Sequence, residues 1–452
     1  MGEWRAMDHP VIAAAREAGI VGQGGAGFPL HVKLAAPVDT VIANGCECEP
    51  LLATDADIME RHAGLLLEGL DAAMAATGAG QGIIAIKRKH ASLVRVLSSL
   101  ITDPRHSLLL LDNFYPAGDE QVLIFEATGR TVPPLSLPRA VGCLVSNVGT
   151  LVSLAESLKG RPVTLRTVTV TGEVARPAVF TVPIGASVKE CIEFCGGATL
   201  KDWVLVLGGP VMGTVLDDPA DIAAAVVSKT LGGIIVAPRG HYLHRKALQS
   251  VESMRRRAAT ACIQCRFCTD LCPRRLIGQP FETHRVMRAF GHSNELDVQA
   301  GRQALLCCFC GVCEHVACPM DLSPCAINRA VRQELGARGL GFEGSTALEL
   351  EITQWKDYRK VPMSRLAARI GITGYMDIHP EPVTGFMPEV VDIPLRQHIG
   401  KAAVPLCKVG GSVAAGELIG EIPEGALGAR VHASVSGTVE SVGDSIRIRR
   451  QG

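Results

Sequence analysis

The chain has 452 residues, 45 Lys+Arg against 45 Asp+Glu, a formal net charge of zero, 16 Cys, 48 Gly and only 4% aromatic residues. Balanced charge without a Lys/Arg block sets nucleic acid and anionic membrane surfaces aside as partners, and no apolar run is long enough for a membrane span. The length suits about two to four domains, and a cysteine-rich chain opening MGEWRAMDHP, without the pattern of an export signal, predicts a soluble protein in a reducing setting.

In chain order, residues 8–20 read as a short helix running into VGQGGAGFPLHVKL. There Gly22, Gly24, Gly25 and Gly27 would let backbone N–H groups close on a phosphate or a flat ring. The spacing is neither that of a Rossmann turn nor of a P-loop, and a flexible turn is the plain alternative. A strand-like DTVIANG (Asp39–Gly45) leads into CECEP, which carries Glu47 and Glu49. Ala56–Thr77 has helical periodicity, Gly82–Lys87 alternates like a strand, and His90–Leu100 reads as helix. His62, His90 and His106 lack a second ligand at helical or strand spacing and are read as surface histidines.

GQGGAGFPLHVK, NGCECEP, YPAGDEQ (Tyr115–Gln121) and SNVGT (Ser146–Thr150) resemble, in this order, four motifs of the NADH- and FMN-binding subunit of respiratory complex I. The resemblance implies a Rossmann-like α/β domain for FMN and NADH over residues 1–160. It implies that Gly24, Gly25, Gly27 and Lys33 line the flavin phosphate, the lysine offsetting its charge. Asn44, Tyr115 and Gly118 would border the ribityl chain and ring, and Val145, Ser146, Asn147 and Thr150 would close the phosphate side. Phe28, Glu49 and Glu120 would face the nicotinamide nucleotide, which makes the two glutamates the candidate catalytic residues. Two positions depart from that family: Cys46 replaces an acid, and Ala36 replaces an aromatic that would stack on adenine.

Residues 161–240 change texture. VTLRTVTVTGEVARPAVFTVP predicts a β-hairpin, with Ser187 capping a short helix that ends at Gly196-Gly197. This resembles the soluble-ligand-binding β-grasp (SLBB) domain. Cys191 and Cys195 are read as core thiols. GGPVMG (Gly208–Gly213) resembles a turn in the RnfC component of the Rnf electron-transport complex.

Residues 241–340 begin with a basic helix over 241–260, followed by CIQCRFCTDLCP and CCFCGVCEHVACP. The first run has the C-x₂-C-x₂-C-x₃-C-P spacing of a [4Fe–4S] ferredoxin, and the second repeats it with one extra residue. The eight candidate ligands are Cys262, Cys265, Cys268, Cys272, Cys307, Cys310, Cys313 and Cys318. Zinc could be held by two C-x₂-C pairs, but would leave both Cys-Pro positions idle. By resemblance to two-cluster ferredoxins the fourth cysteines cross over: Cys318 joins Cys262, Cys265 and Cys268, and Cys272 joins Cys307, Cys310 and Cys313. Cys308 and Cys325 match no ligand position. Pro280–Phe290 and Glu295–Leu306 read as helices of an α-helical ferredoxin fold. Arg266, Arg274 and Arg275 either balance the clusters' charge or form a solvated face.

Residues 341–390 are read as a linker region with a Pro-rich end. Residues 391–452 resemble the barrel-sandwich fold of lipoyl domains. The turn that would carry the acylated lysine reads HASVSG (His432–Gly437), so the module is non-acylated. The expected fold class is thus multidomain, α/β with α+β: Rossmann-like, β-grasp, α-helical ferredoxin with two [4Fe–4S] clusters, and barrel-sandwich.

With AGIVGQGGAGFP, ECEPLL and this module order, the chain resembles the cobalamin reductases of propanediol-utilisation microcompartments. That implies electron flow from NADH through FMN and two [4Fe–4S] clusters to cobalamin, a corrinoid adenosyltransferase and a shell protein as partners, and a cytoplasmic location inside a bacterial microcompartment. Two other readings stand beside it: an Rnf-type subunit passing electrons to a ferredoxin or membrane partner, and a non-enzymatic wiring subunit.

Overall fold

The computed structural model describes residues 9–291, 297–344 and 350–451. Its first module is a parallel sheet of β1 (Thr40–Gly45), β2 (Gln81–Lys87), β3 (His106–Leu111) and, after the short β4 (Phe114–Tyr115), β5 (Cys143–Asn147), in the order β3-β2-β1-β5. β1 is TVIANG and β2 is QGIIAIK. Such near-continuous apolar runs suit strands covered on both faces. Val41, Ala43, Ile84 and Ile86 enter the core that contains Leu66 and Leu70 of helix Thr54–Thr77 and Leu151 of helix Val148–Ser157. Ile42, Ile83, Ala85 and Val145 enter the opposite core with Val122, Leu123 and Ile124. The first helix is shorter than read, Pro10–Glu17, with the His9 imidazole accepting the Val11 N–H.

The second module is a mixed sheet in which β6 (Leu165–Gly172) and β7 (Ala178–Pro183) form the antiparallel hairpin, joined by β8 (Trp203–Leu207), β9 (Thr214–Leu216) and β10 (Gly233–Pro238). β10 runs parallel to β6 and antiparallel to β8. Helix Val188–Phe194 covers the sheet and buries Cys191. Ser187 occupies its N-cap position, but its side chain makes no capping bond.

The cysteine-rich module is helical. The basic stretch 241–260 forms two helices, Tyr242–Ala247 and Val251–Ala261, rather than one. The Ser250 hydroxyl accepts the Ser253 N–H and so starts the second helix afresh. Helix Thr283–Gly291 follows. Val298–Gly301 is helical and Arg302–Leu306 is 3₁₀; residues 295 and 296 of the predicted second helix lie outside the described residues.

The stretch read as a linker carries structure. β11 (Val361–Pro362) pairs with β4, helix Met363–Ile370 buries its apolar face, and β12 (Glu381–Pro382) extends the β-grasp sheet beside β7. Phe386 packs with Phe180 and Phe194, ring centroids 5.1–5.7 Å apart. The last module consists of a four-stranded and a three-stranded sheet. Its Ile393, Ile419, Val431 and Ile446 belong to the same buried cluster as the first module's helices. Among the described residues, no helix is long and apolar enough to cross a membrane.

Candidate functional site

The Gly-rich loop is closed at its base by Gly22 N–H donating to Phe28 O, and its tip, Gly24–Ala26, is exposed. Gly27, at φ +73°, lies against the last module: a Cβ there would come within 3.0 Å of Gln397 O and His398 Cα, and Ile399 N–H donates to Gly27 O. A Cβ on Gly24 would press within 3.2 Å of the Asn147 side chain, so the loop tip lies directly over the end of β5.

β5 ends at Asn147, whose side chain caps helix Val148–Ser157 by accepting Gly149 N–H at 2.9 Å. Val145 O accepts a hydrogen bond from Lys33 Nζ, which also donates to Glu120 at 3.1 Å. Asn44 donates to Gly118 O at 3.0 Å, and Cys48 Sγ accepts the Gly118 N–H. Ser146 and Thr150 are buried alongside. The structure therefore brings Gly24, Lys33, Glu120, Val145 and Asn147 together at one sheet end, with Asn44 and Gly118 beside them.

A half-exposed lysine, a glycine tip without side chains and the N-terminus of a ten-residue helix form a donor set suited to a phosphate. These residues fit an FMN phosphate. Glu47 is committed elsewhere: its carboxylate accepts Asp55 and Ala56 N–H at the start of helix Thr54–Thr77. Burial and the nearby Asp55 carboxyl push its pKa up.

Glu49 is also committed. Its two oxygens accept Val211 N–H at 2.8 Å and Met212 N–H at 3.1 Å, in the turn between β8 and β9. Loss of hydration raises its carboxyl to about 7, against the opposing pull of those bonds. A Cβ on Gly209 would lie 2.0 Å from the carboxylate, so GGPVMG needs glycine there to admit it. On its other side Val211 meets the second cysteine motif at Gly311. Fully buried Tyr115 joins the cluster containing Cys310, Val312 and Met363, with Cys48 and Val211 at its edge. Phe28 is half-buried below the loop.

Between the cysteines, the backbone turns left-handed at matching positions of the two motifs: Gln264 and Arg266 in the first, Phe309 and Gly311 in the second. The extra residue of the second motif is taken up by a π turn over Cys313–Ala317. Cys262, Cys265, Cys268 and Cys318 line a single cavity. Cys272, Cys307, Cys310 and Cys313 lie in the adjoining group, where Cys308 and Cys325 also come close to them. The groups meet where Cys268, Cys313 and Cys325 pack with Phe309. Several sulfurs accept N–H donors, Cys307 from Phe309 and Cys318 from Leu322, both at 3.4 Å. Each group contains four thiols at motif positions, and such thiols with N–H···S contacts fit sulfur-held iron clusters.

Arg274 is not part of a solvated face. It is buried against Asp119 at 2.9 Å, tying this module to the flavin-type module. Arg266 is half exposed, 3.6 Å from Glu282. His106 is buried, with Nε2 3.0 Å from Asp71, which corrects its reading as a surface residue: as the first residue of β3 it turns under helix Thr54–Thr77. Sequence reasoning missed Gln23 and Arg166, which meet across the module boundary. It also missed Lys229, whose buried ammonium donates to Gly19 O and Arg430 O.

Residues 15–156 match the Nuo51 FMN-binding domain, 167–215 the SLBB domain, 261–323 the 4Fe-4S dicluster domain and 381–451 the RnfC barrel sandwich hybrid domain. An FMN-binding and a 4Fe-4S dicluster domain in one chain define a flavin and iron–sulfur electron-transfer oxidoreductase. The chain is 43% identical over 431 residues to cobalamin reductase PduS of Citrobacter freundii, covering 94% of this chain and 93% of that one. It is 43% identical over 433 residues to the PduS of Salmonella typhimurium, covering 95% and 94%. The chain belongs to the PduS cobalamin reductase family. The RnfC-type component of the Na⁺-translocating ferredoxin:NAD⁺ oxidoreductase complex of Acetobacterium woodii is 36% identical over 263 residues, 57% of this chain and 56% of that one.

Proposed function

We propose that this protein is an NADH-dependent cobalamin reductase, taking two electrons from NADH and delivering them singly so that cob(III)alamin becomes cob(II)alamin and then cob(I)alamin for a corrinoid adenosyltransferase. When bound, FMN supplies the exchange between two-electron and one-electron chemistry, and two [4Fe–4S] clusters supply the onward relay. Lys33, the Gly24–Gly27 loop and the helix start at Asn147 hold the flavin phosphate. Asn44, by donating to Gly118 O, holds the backbone beside that site. Glu120 keeps Lys33 in place, and Glu49 holds the β8–β9 turn against the second cysteine motif. Cys262, Cys265, Cys268 and Cys318 hold one cluster, and Cys272, Cys307, Cys310 and Cys313 the other.

The observation that carries this reading is Tyr115, buried in one cluster with Cys48 on the flavin side and Cys310 on the cysteine side. The packing around this ring thus runs from the flavin-type module to the second cysteine motif. The family relationship supports a cytoplasmic location within a propanediol-utilisation microcompartment, with a shell protein as neighbour.

Anaerobic addition of NADH to FMN-loaded protein tests it. Bleaching of the flavin followed by reduction of added cob(II)alamin is the expected result. No bleaching would leave a wiring subunit, and bleaching without corrinoid reduction would leave an Rnf-type conduit.

A further inference from the structure

We propose that Arg166, on the first strand of the β-grasp domain, is a positioning residue for the flavin: it sets FMN affinity from the neighbouring module by holding the Gly-rich loop through Gln23. This rests on the reading of that loop as the flavin phosphate site.

Arg166 is 4% exposed, a buried guanidinium on β6. Its Nε donates to Leu231 O at 2.7 Å, one terminal nitrogen donates to Gln23 Oε1, and the other reaches Gln23 O at 3.4 Å. Gln23, the residue before Gly24, is itself buried. It passes the restraint on: its N–H donates to Thr150 Oγ1 at 3.0 Å and its amide donates to Ser153 Oγ at 2.9 Å. Both partners lie on helix Val148–Ser157, whose start faces the loop. On the other side of the loop, Asn147 donates to both oxygens of Asp55 at 2.9–3.0 Å, and the Arg166 charge acts on Asp55 and Glu47.

A single guanidinium thus fixes the residue before the glycine tip and offsets the charge of Asp55, which holds Asn147 beneath it. A glycine loop has little conformational preference of its own, so a rigid anchor at its edge lowers the ordering that phosphate binding must otherwise supply. The planar fork is what the geometry requires. Arg166 serves Leu231 O and Gln23 Oε1 from two different nitrogens of one plane, an arrangement that the single nitrogen of a lysine does not reproduce. Gly232 leaves room for the fork: a Cβ there would come within 3.2 Å of the guanidinium.

The test uses full-length, cluster-loaded protein stripped of flavin and titrated with FMN, read by quenching of flavin fluorescence, with thermal unfolding of the flavin-free form measured in parallel. Arg166→Met should weaken FMN binding about ten- to a hundredfold, and Arg166→Lys should recover little of it. Gln23→Ala, which leaves the β-grasp core intact, should weaken binding comparably. The double variant should lose less than the sum of the two single losses, because the Arg166–Gln23 contact is common to both. Wild-type FMN affinity in Arg166→Met or in Gln23→Ala, whatever the change in unfolding temperature, would overturn the proposal. Failure of the unmodified protein to take up FMN would instead remove the flavin reading itself, a result visible before any variant is made.

Discussion

Glu49 and Val211, 162 residues apart in the chain, meet through a 2.8 Å hydrogen bond from the Val211 N–H to the Glu49 carboxylate. The bond joins the acidic loop after β1 to the β8–β9 turn, and that turn abuts the second cysteine motif. Sequence reasoning assigned Glu49 to the nicotinamide nucleotide. In the structure each of its two oxygens accepts one backbone N–H from the β8–β9 turn.

The same contact carries a pH dependence. The Glu49 carboxyl is raised from 4.5 to about 7 by loss of hydration, so between these values the folded chain binds a proton that the unfolded chain has released. Stability contributed by this group therefore falls as pH rises from about 4.5 to about 7, and is level above. Urea midpoints of wild type should decline across that window more than those of Glu49→Gln. Equal slopes would show that the carboxyl does not titrate there.

The pair Asp119–Arg274 is 2.9 Å apart, with side chains 9% and 14% exposed. Arg274→Met should cost about 3–5 kcal/mol, since it leaves a buried carboxylate unpaired. Asp119→Ala should cost about 0.5–2 kcal/mol more, because Asp119 also caps helix Glu120–Thr128 through Gln121 and Val122 N–H. Chemical unfolding followed by far-UV circular dichroism measures both, and the order of the two variants is the decisive outcome.

The grouping of the cysteines predicts which losses coincide. Cys318→Ala should remove the same paramagnetic signal as Cys265→Ala, and Cys272→Ala the same signal as Cys310→Ala. Each should lower bound iron from about eight to about four per chain. If Cys318→Ala and Cys310→Ala removed the same signal, the fourth ligands would not cross over.

What could be read from the sequence was whatever is local or fixed by spacing. The four flavin motifs, the strands β1 and β2 and the cysteine runs are short patterns whose geometry follows from their residues. Long-range pairing was not legible. Nothing in RTVTV marks Arg166 as the partner of Gln23, and nothing in CECEP announces a backbone turn beyond residue 208 as the acceptor's destination. The linker reading failed for a related reason. Pro-rich composition signals irregular backbone, yet Phe386 packs against two rings whose positions only the folded β-grasp core defines. The surplus residue before Cys318 was visible, but that it would be absorbed as a π turn depends on the sulfur groups converging.

Lys229 bridges Gly19 O and Arg430 O, Arg430 pairs with Glu17, and Ile399 donates to Gly27 O. The barrel-sandwich module, late in the chain, thus sits as an immediate neighbour of the first module. Because the two modules already touch, release of this segment would uncover the Gly27 carbonyl at the edge of the Gly-rich loop, so the end of the chain helps to hold its beginning.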